Sequence, residues 1–386
     1  MKNALRPYRQ FCATLRQNAL LRHLPRAQTY QYDFSNNDYL GLSQHPALAS
    51  AAIEAAHALG VGGTSSRLVG NHPRSDALEA LIAQSKGSAS AMVFATGYQA
   101  NISVLSALLD SKALGQTPLV FADKLNHASM HAGCQMARVR QQRFRHLDYD
   151  HLAWLLEKSK TLQQPRFILT ESVFGMDGDV ACLPTLIKLA YQYNALLYVD
   201  EAHATGLFGS KGYGFTCDYG KDIAISMGTF SKALGGSGAY IACAKPLKRY
   251  LMNRANGFIY STAPSPMQIA VMQKSWELIP ELLPEAQLLL ARATSLREQL
   301  KALGFQLGNS CTHIIPIILQ QAPKTLWAQR ELLKEDIRVS AIRPPSVPAN
   351  QARLRLALNI KHDENALQTL LTQMKRLATI LFDTQK

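Results

Sequence analysis

The sequence carries no Cys-x-x-Cys pair; its six cysteines, Cys12, Cys134, Cys182, Cys217, Cys243 and Cys311, are scattered. Neither a zinc cage nor a redox dithiol is signalled, so no metal is expected and the thiols read as buried and reduced. No apolar run approaches the length needed to cross a bilayer, and the N-terminus lacks the apolar stretch of a secretory signal. A soluble, cytoplasmic protein without a membrane partner is the expectation. A G-x-x-x-x-G-K-[ST] phosphate loop is also missing, because Gly220-Lys221 is followed by Asp222. Acidic residues are absent before Asp33, whereas Lys2, Arg6, Arg9, Arg16, Arg22 and Arg26 precede it. That run suits a basic amphipathic helix docked on the protein itself, or an organelle transit peptide.

What is present is enough to build a large core: 386 residues, 47% hydrophobic. The formal charge of +14 favours acidic partners such as phosphates, coenzyme A, an acidic carrier protein or nucleic acid. After a basic helix and a short strand at residues 1–45, apolar runs that look like buried strands recur at Ala91–Ala95, Leu119–Phe121, Phe167–Thr170, Leu196–Asp200, Ile223–Met227 and Ala239–Ala242. Helical patterns such as Tyr98–Leu109 and Pro184–Tyr193 separate them. This alternation predicts an α/β domain over 46–262, with a mainly parallel sheet covered by helices on both faces. From 263 to 386 the texture changes to a smaller α+β domain, with strands expected at His313–Leu319, Val339–Ile342 and Ala352–Leu356.

Ligands of open α/β sheets bind beyond the carboxyl ends of the strands, so polar residues that follow strands are the first candidates. Lys232 lies in Gly228-Thr229-Phe230-Ser231-Lys232-Ala233-Leu234-Gly235-Gly236. A desolvated lysine there offers a neutral amine for imine chemistry, with hydroxyls and backbone N–H groups nearby to anchor a phosphate. The bland alternative is a solvated lysine beside a glycine hinge. Asp200-Glu201-Ala202-His203 closes an apolar strand. An aspartate there keeps the ring nitrogen of a pyridine cofactor protonated, and His203 can bond its ring hydroxyl. A metal pair and the acidic box of a helicase compete; the missing phosphate loop tells against the helicase, and so against nucleic acid.

Gly97 and Tyr98 open a helix directly after a strand, where amides at a positive helix end can seat a phosphate, unless this is an ordinary turn. His127, in Asn126-His127-Ala128-Ser129, could stack on a flat ring or be an ordinary loop histidine. Arg343 stands in the rigid turn Ile342-Arg343-Pro344-Pro345-Ser346-Val347-Pro348, suited to bidentate capture of a carboxylate, or to nothing beyond a surface.

Together and in this order, with Ser35-Asn36-Asn37-Asp38-Tyr39-Leu40-Gly41 and Thr170-Glu171-Ser172-Val173-Phe174-Gly175-Met176-Asp177-Gly178-Asp179, these segments resemble the α-oxoamine synthase family of fold-type I, aspartate aminotransferase-like enzymes that use pyridoxal 5′-phosphate (PLP). The resemblance implies that Lys232 holds PLP as a Schiff base, Asp200 pairs with the pyridinium nitrogen, His203 bonds the ring oxygen and His127 stacks on the ring. It implies that Gly97, Tyr98 and Thr229 hold the phosphate, joined by Ser261 or Thr262 of a second subunit in a homodimer whose sites lie at the interface. Arg343 and Ser346 would meet substrate, as would an N-terminal arginine, Arg22, although Leu21 can take the corresponding position. Gly175 departs from the family, which has a cofactor-contacting serine there; Ser172 is a neighbour that could replace it. The arginine turn is most similar to that of members joining L-alanine to a pimeloyl thioester, on coenzyme A or an acidic carrier protein, with loss of carbon dioxide. Glycine or serine with another acyl thioester, and a non-catalytic subunit, are the alternatives.

Overall fold

The computed structural model describes residues 3–25 and 27–383, so Lys2 and Arg26 of the basic N-terminal run lie outside the described residues. Two compact units form: one from Asp38–Gly175 and Val180–Leu288, the other from the chain up to Asn37, Met176–Asp179 and the chain from Leu289.

The first unit is built on seven strands: β1 (Ser90–Phe94), β2 (Leu119–Asp123), β3 (Gln141–Phe144), β4 (Arg166–Glu171), β5 (Ala195–Asp200), β6 (Ile225–Thr229) and β7 (Ala239–Cys243). Their order across the sheet is β1-β7-β6-β5-β4-β2-β3. β7 alone runs antiparallel to its neighbours β1 and β6; the other pairings are parallel, as the mainly parallel expectation holds. Alternate side chains of one strand feed different cores because successive Cβ atoms point to opposite faces. On β5, Tyr198 enters one core with Val104 and Met130, while Leu197 and Val199 enter another with Leu186 and Ile223. Both faces are thus dry, which is why these strands read as continuous apolar runs. β3 escaped the sequence reading because only Phe144 of Gln141-Gln142-Arg143-Phe144 is buried, as befits an edge strand.

Helix Pro266–Leu278, which the sequence reading assigns to the C-terminal domain, packs in this unit. Its Ile269, Met272 and Trp276 share a core with Leu78, Ile82 and Tyr240. The boundary therefore falls at Leu288 and not at 262.

The second unit contains an antiparallel sheet of β8 (Ile314–Gln320), β9 (Ser340–Ile342) and β10 (Ala352–Ala357), in the order β9-β10-β8. A parallel pair, Tyr32–Asp33 with Ile337–Arg338, lies beside it in sequence terms. Gly178 belongs here because its carbonyl accepts from Cys311 N and Thr312 Oγ1, both at 2.9 Å. Helix Arg6–Gln17 forms as expected from its basic pattern, but none of its residues is buried, so it does not dock as the sequence reading allowed. The thiol expectation also needs correction: only Cys134 and Cys243 are buried, Cys217 is half-buried, and Cys12, Cys182 and Cys311 are exposed. The buried two sit on a core-facing helix and strand, where burial pushes their thiols up to about 12 and about 11.

Candidate active site

The register of the sheet brings its chemistry to one edge. Glu171 of β4 pairs with Asp200 of β5, and Asp200 with Met227 of β6, so the carboxyl ends of three strands stand level. A cavity of about 240 Å³ opens there, lined by Gly97, Tyr98, His127, Asp200, His203, Thr229 and Lys232 among others. A larger hollow of about 390 Å³, lined by Leu196, Ile223 and Ala224, lies at the opposite, amino ends of β5 and β6, away from these groups.

Lys232 is not on a flexible hinge. Phe230, Ala233 and Leu234 are buried, and Phe230 N donates to Gly238 O at 3.0 Å while Gly236 N donates to Phe230 O at 2.8 Å. Gly235 has φ +63° and lies so close to residues 42 and 43 that a Cβ would sit 2.3 Å from Leu42 C. Only glycine satisfies both the left-handed backbone and that approach. The loop is thereby clamped, with Lys232 half-buried at the cavity and its Nζ 2.8 Å from His203 Nε2. His203 Nδ1 lies 2.7 Å from the hydroxyl of Tyr39, so both ring nitrogens are engaged and the metal-ligand reading loses its donor.

The acidic dipeptide at the end of β5 splits between two roles. Glu201 turns into the core, where it forms a fully buried ion pair with Lys86 and accepts from Thr216 N at 3.0 Å. Asp200, 3% exposed, faces the cavity and accepts from Asn101 Nδ2 at 2.7 Å and Ala202 N at 2.9 Å. Asn101 is itself oriented, because its Oδ1 accepts from the Tyr198 hydroxyl at 2.7 Å. Asp200 is thus a buried carboxyl group whose two hydrogen-bond donors are neutral, a setting suited to a cationic group of a ligand.

His127 caps helix Ala128–Met136: its Nδ1 accepts from Ser129 N at 3.3 Å and pairs with Ser129 Oγ at 2.7 Å. The ring proton of the neutral form therefore sits on Nε2. Desolvation holds His127 below the ordinary imidazole value, against the charge of Asp200 and together with that of Lys232. Burial pushes the Glu171 carboxyl well above the usual carboxylate range, and Asp200 adds to this while Lys232 opposes it. Burial thus disfavours a charge on Glu171, while Asp200 next to it accepts two hydrogen bonds.

The residues fit PLP. The first turn of helix Gly97–Leu108, capped by Thr96 accepting from Gln99 N at 3.1 Å, presents backbone donors beside Thr229, whose Oγ1 would lie 3.8 Å from a Cβ on Gly97. That is a seat for a phosphate at a positive helix end, with Asp200 for a ring N–H and Lys232 for a carbonyl carbon. Gly175 has a physical reason: a Cβ there would sit 2.3 Å from His203 Nε2, so the ring occupies the space a side chain would need. Ser172 Oγ is buried without a hydrogen-bond partner, but Ser172 does not line the cavity. Nor do Ser261 and Thr262 of the same chain. The lining residues that sequence reading did not count as site members are Thr96, Asn101, Ser129, Glu171, Ala202, Met227 and Ser231. Each lay within a segment already singled out, one turn or one strand end from a named residue.

In the other unit, three predicted residues come together. Arg22 Nη2 donates to Ser346 Oγ at 3.1 Å, and Arg343, in a turn with a cis Pro344–Pro345 bond, donates to Ala19 O. Arg343 Nε is buried without a partner, and burial together with the like charge of Arg22 pulls its guanidinium down. Two neighbouring guanidiniums in this state suit an anion.

The chain matches the aminotransferase class I and II family over residues 29–373. It is 43% identical to a putative 8-amino-7-oxononanoate synthase of Magnetococcus marinus, over 96% of each chain. It is 46% identical to the 8-amino-7-oxononanoate synthase of Gluconacetobacter diazotrophicus, over 90% of this chain and 87% of the other. A serine palmitoyltransferase solved with its PLP internal aldimine is 25% identical and superposes with a TM-score of 0.88, covering 98% of each chain. With these likenesses spanning nearly its whole length, the chain belongs to the aminotransferase class I and II family and, within it, to the PLP-dependent α-oxoamine synthases.

Proposed function

We propose that this protein joins L-alanine to a pimeloyl thioester, releasing carbon dioxide and the free thiol and yielding 8-amino-7-oxononanoate. The observation that carries the reading is the single cavity uniting Lys232, Asp200, His203 and His127 with a helix N-terminus, in a chain 43% and 46% identical to proteins named for that product. PLP, when bound, supplies an electron sink for negative charge at the amino acid Cα.

Lys232 carries the cofactor covalently and, once its amine is free, takes the proton from the alanine Cα. With the cofactor bound, Asp200 would keep a proton on the ring nitrogen and His203 would bond the ring oxygen. Gly97, Tyr98 and Thr229 bind the phosphate, with Ser261 or Thr262 reaching in from a second copy of the chain. His127, with its proton on Nε2, would cover the ring face and could donate to the thioester carbonyl oxygen. Arg22, Arg343 and Ser346 hold a substrate carboxylate. A homodimer is the assembly this reading calls for, since Ser261 and Thr262 do not line the cavity of their own protomer and would reach that of the partner. A cytoplasmic setting suits a reaction that consumes an acyl thioester.

The likeness to serine palmitoyltransferase raises serine with a long acyl thioester as the second reading, at a much lower identity. Offering alanine, glycine and serine together with pimeloyl-coenzyme A and pimeloyl-carrier protein, and weighing the products by mass spectrometry, separates the two. In the expected product the amino-acid carbons come from alanine alone and are joined to the pimeloyl chain. Purified protein should be yellow and Lys232→Ala inactive; full turnover in that variant would remove the assignment.

A further inference from the structure

Tyr39 lies in a polar turn yet is wholly buried, at 0% exposure. Its hydroxyl is 2.7 Å from His203 Nδ1, and the opposite ring nitrogen is 2.8 Å from Lys232 Nζ. A neutral imidazole has one N–H, so the partner of one nitrogen decides what the other can do. A phenol donating to Nδ1 leaves the ring proton on Nε2, directed at the lysine nitrogen. An amine accepts such a bond only through its lone pair, which the ammonium lacks. The opposite tautomer would make Nε2 an acceptor and would stabilise the ammonium instead.

A side chain at residue 175 would require the ring to shift out of this line. A Cβ on Gly175 would come within 2.3 Å of Nε2 and 2.8 Å of Cδ2. The departure from the family's serine and the Tyr39 contact thus act on one imidazole.

We propose that Tyr39 is a positioning residue that places the ring proton of His203 on Nε2 and, with Gly175 leaving room for the ring, keeps the Lys232 amine neutral and reactive. The inference rests on Lys232 being the PLP lysine. Asp200, Glu171 and His127 line the same cavity and also act on the Lys232 charge; they are left intact in both variants below.

Full-length protein freed of PLP is labelled with trace acetic anhydride over a pH series, and the Lys232 peptide is quantified by mass spectrometry. Tyr39→Phe should raise the midpoint of Lys232 labelling by about one pH unit, an about tenfold loss of labelling below the midpoint. Gly175→Ser, which keeps the phenol but evicts the ring, should move it the same way. Midpoints unchanged from wild type in both variants would overturn the proposal. Nitrogen NMR of His203 in the unsubstituted apoprotein reads the tautomer without any variant: a proton on Nε2 is expected, and one on Nδ1 refutes the idea. Failure of the PLP reading is distinct, since that protein would stay colourless when PLP is added, whatever the labelling midpoints.

Discussion

At the scale of single residues, the site is a set of protonation states fixed by neighbours. Asp200 accepts from Asn101 and the Ala202 amide, whereas burial pushes the carboxyl of Glu171, one strand away, well above the usual carboxylate range. Of the two, Asp200 is the carboxyl suited to a protonated ring nitrogen. Asp200→Ala should therefore lower kcat by about 10²–10³-fold while leaving covalent attachment at Lys232 intact; steady-state kinetics beside the visible spectrum checks both halves. Lys232, Asp200, His203 and His127 were legible in the sequence because each follows an apolar strand within a few residues, and strand ends are where such sheets bind ligands. Tyr39 and Asn101 were not legible as site residues. Their importance comes from what tertiary packing sets against them, a buried imidazole and a buried carboxylate, and no local pattern encodes that.

At the scale of elements, the strands were legible wherever both faces are dry, and were lost where one face meets water, as in β3. The reversed direction of β7 left no trace either, since a strand buried on both faces has the same composition in either direction. Connections between elements show a further cost that sequence hides. His362 joins the loop after β10 to the N-terminal segment: its ring stacks on Phe34 at 3.8 Å, its Nδ1 accepts from Asn359 N and its Nε2 donates to Asp33 O, each at 3.1 Å. Burial pulls this histidine down from 6.5 to about 4. The unfolded chain takes up the proton first as pH falls, so stability is full above about 6.5 and drains away towards pH 4. The shift is equivalent to about 3 kcal/mol. In urea unfolding across that window, the stability advantage of wild type over His362→Gln should shrink by about that amount; a constant gap would show that His362 does not carry the acid sensitivity.

At the scale of the whole molecule, the surplus of positive charge, +14, acts at long range on anything acidic. Among the described residues no helix is long and apolar enough to cross a membrane, and the exposed helix Arg6–Gln17 adds Arg6, Arg9 and Arg16 to the surface. If the pimeloyl group arrives on an acidic carrier protein, kcat/KM for that donor should fall steeply between low and physiological salt, because steering is screened over a Debye length of about 8–10 Å. A flat salt profile would favour a donor recognised by short-range contacts alone. Ser261 and Thr262, outside the cavity of their own chain, have a consequence that reaches into genetics. In the homodimer proposed above, a protomer crippled at Lys232 would still lend a sound Ser261–Thr262 segment to its neighbour, and a protomer crippled at that segment would still offer a sound lysine. Two such defective alleles, each inactive alone, should complement each other in one cell, since every mixed pair contains one intact site.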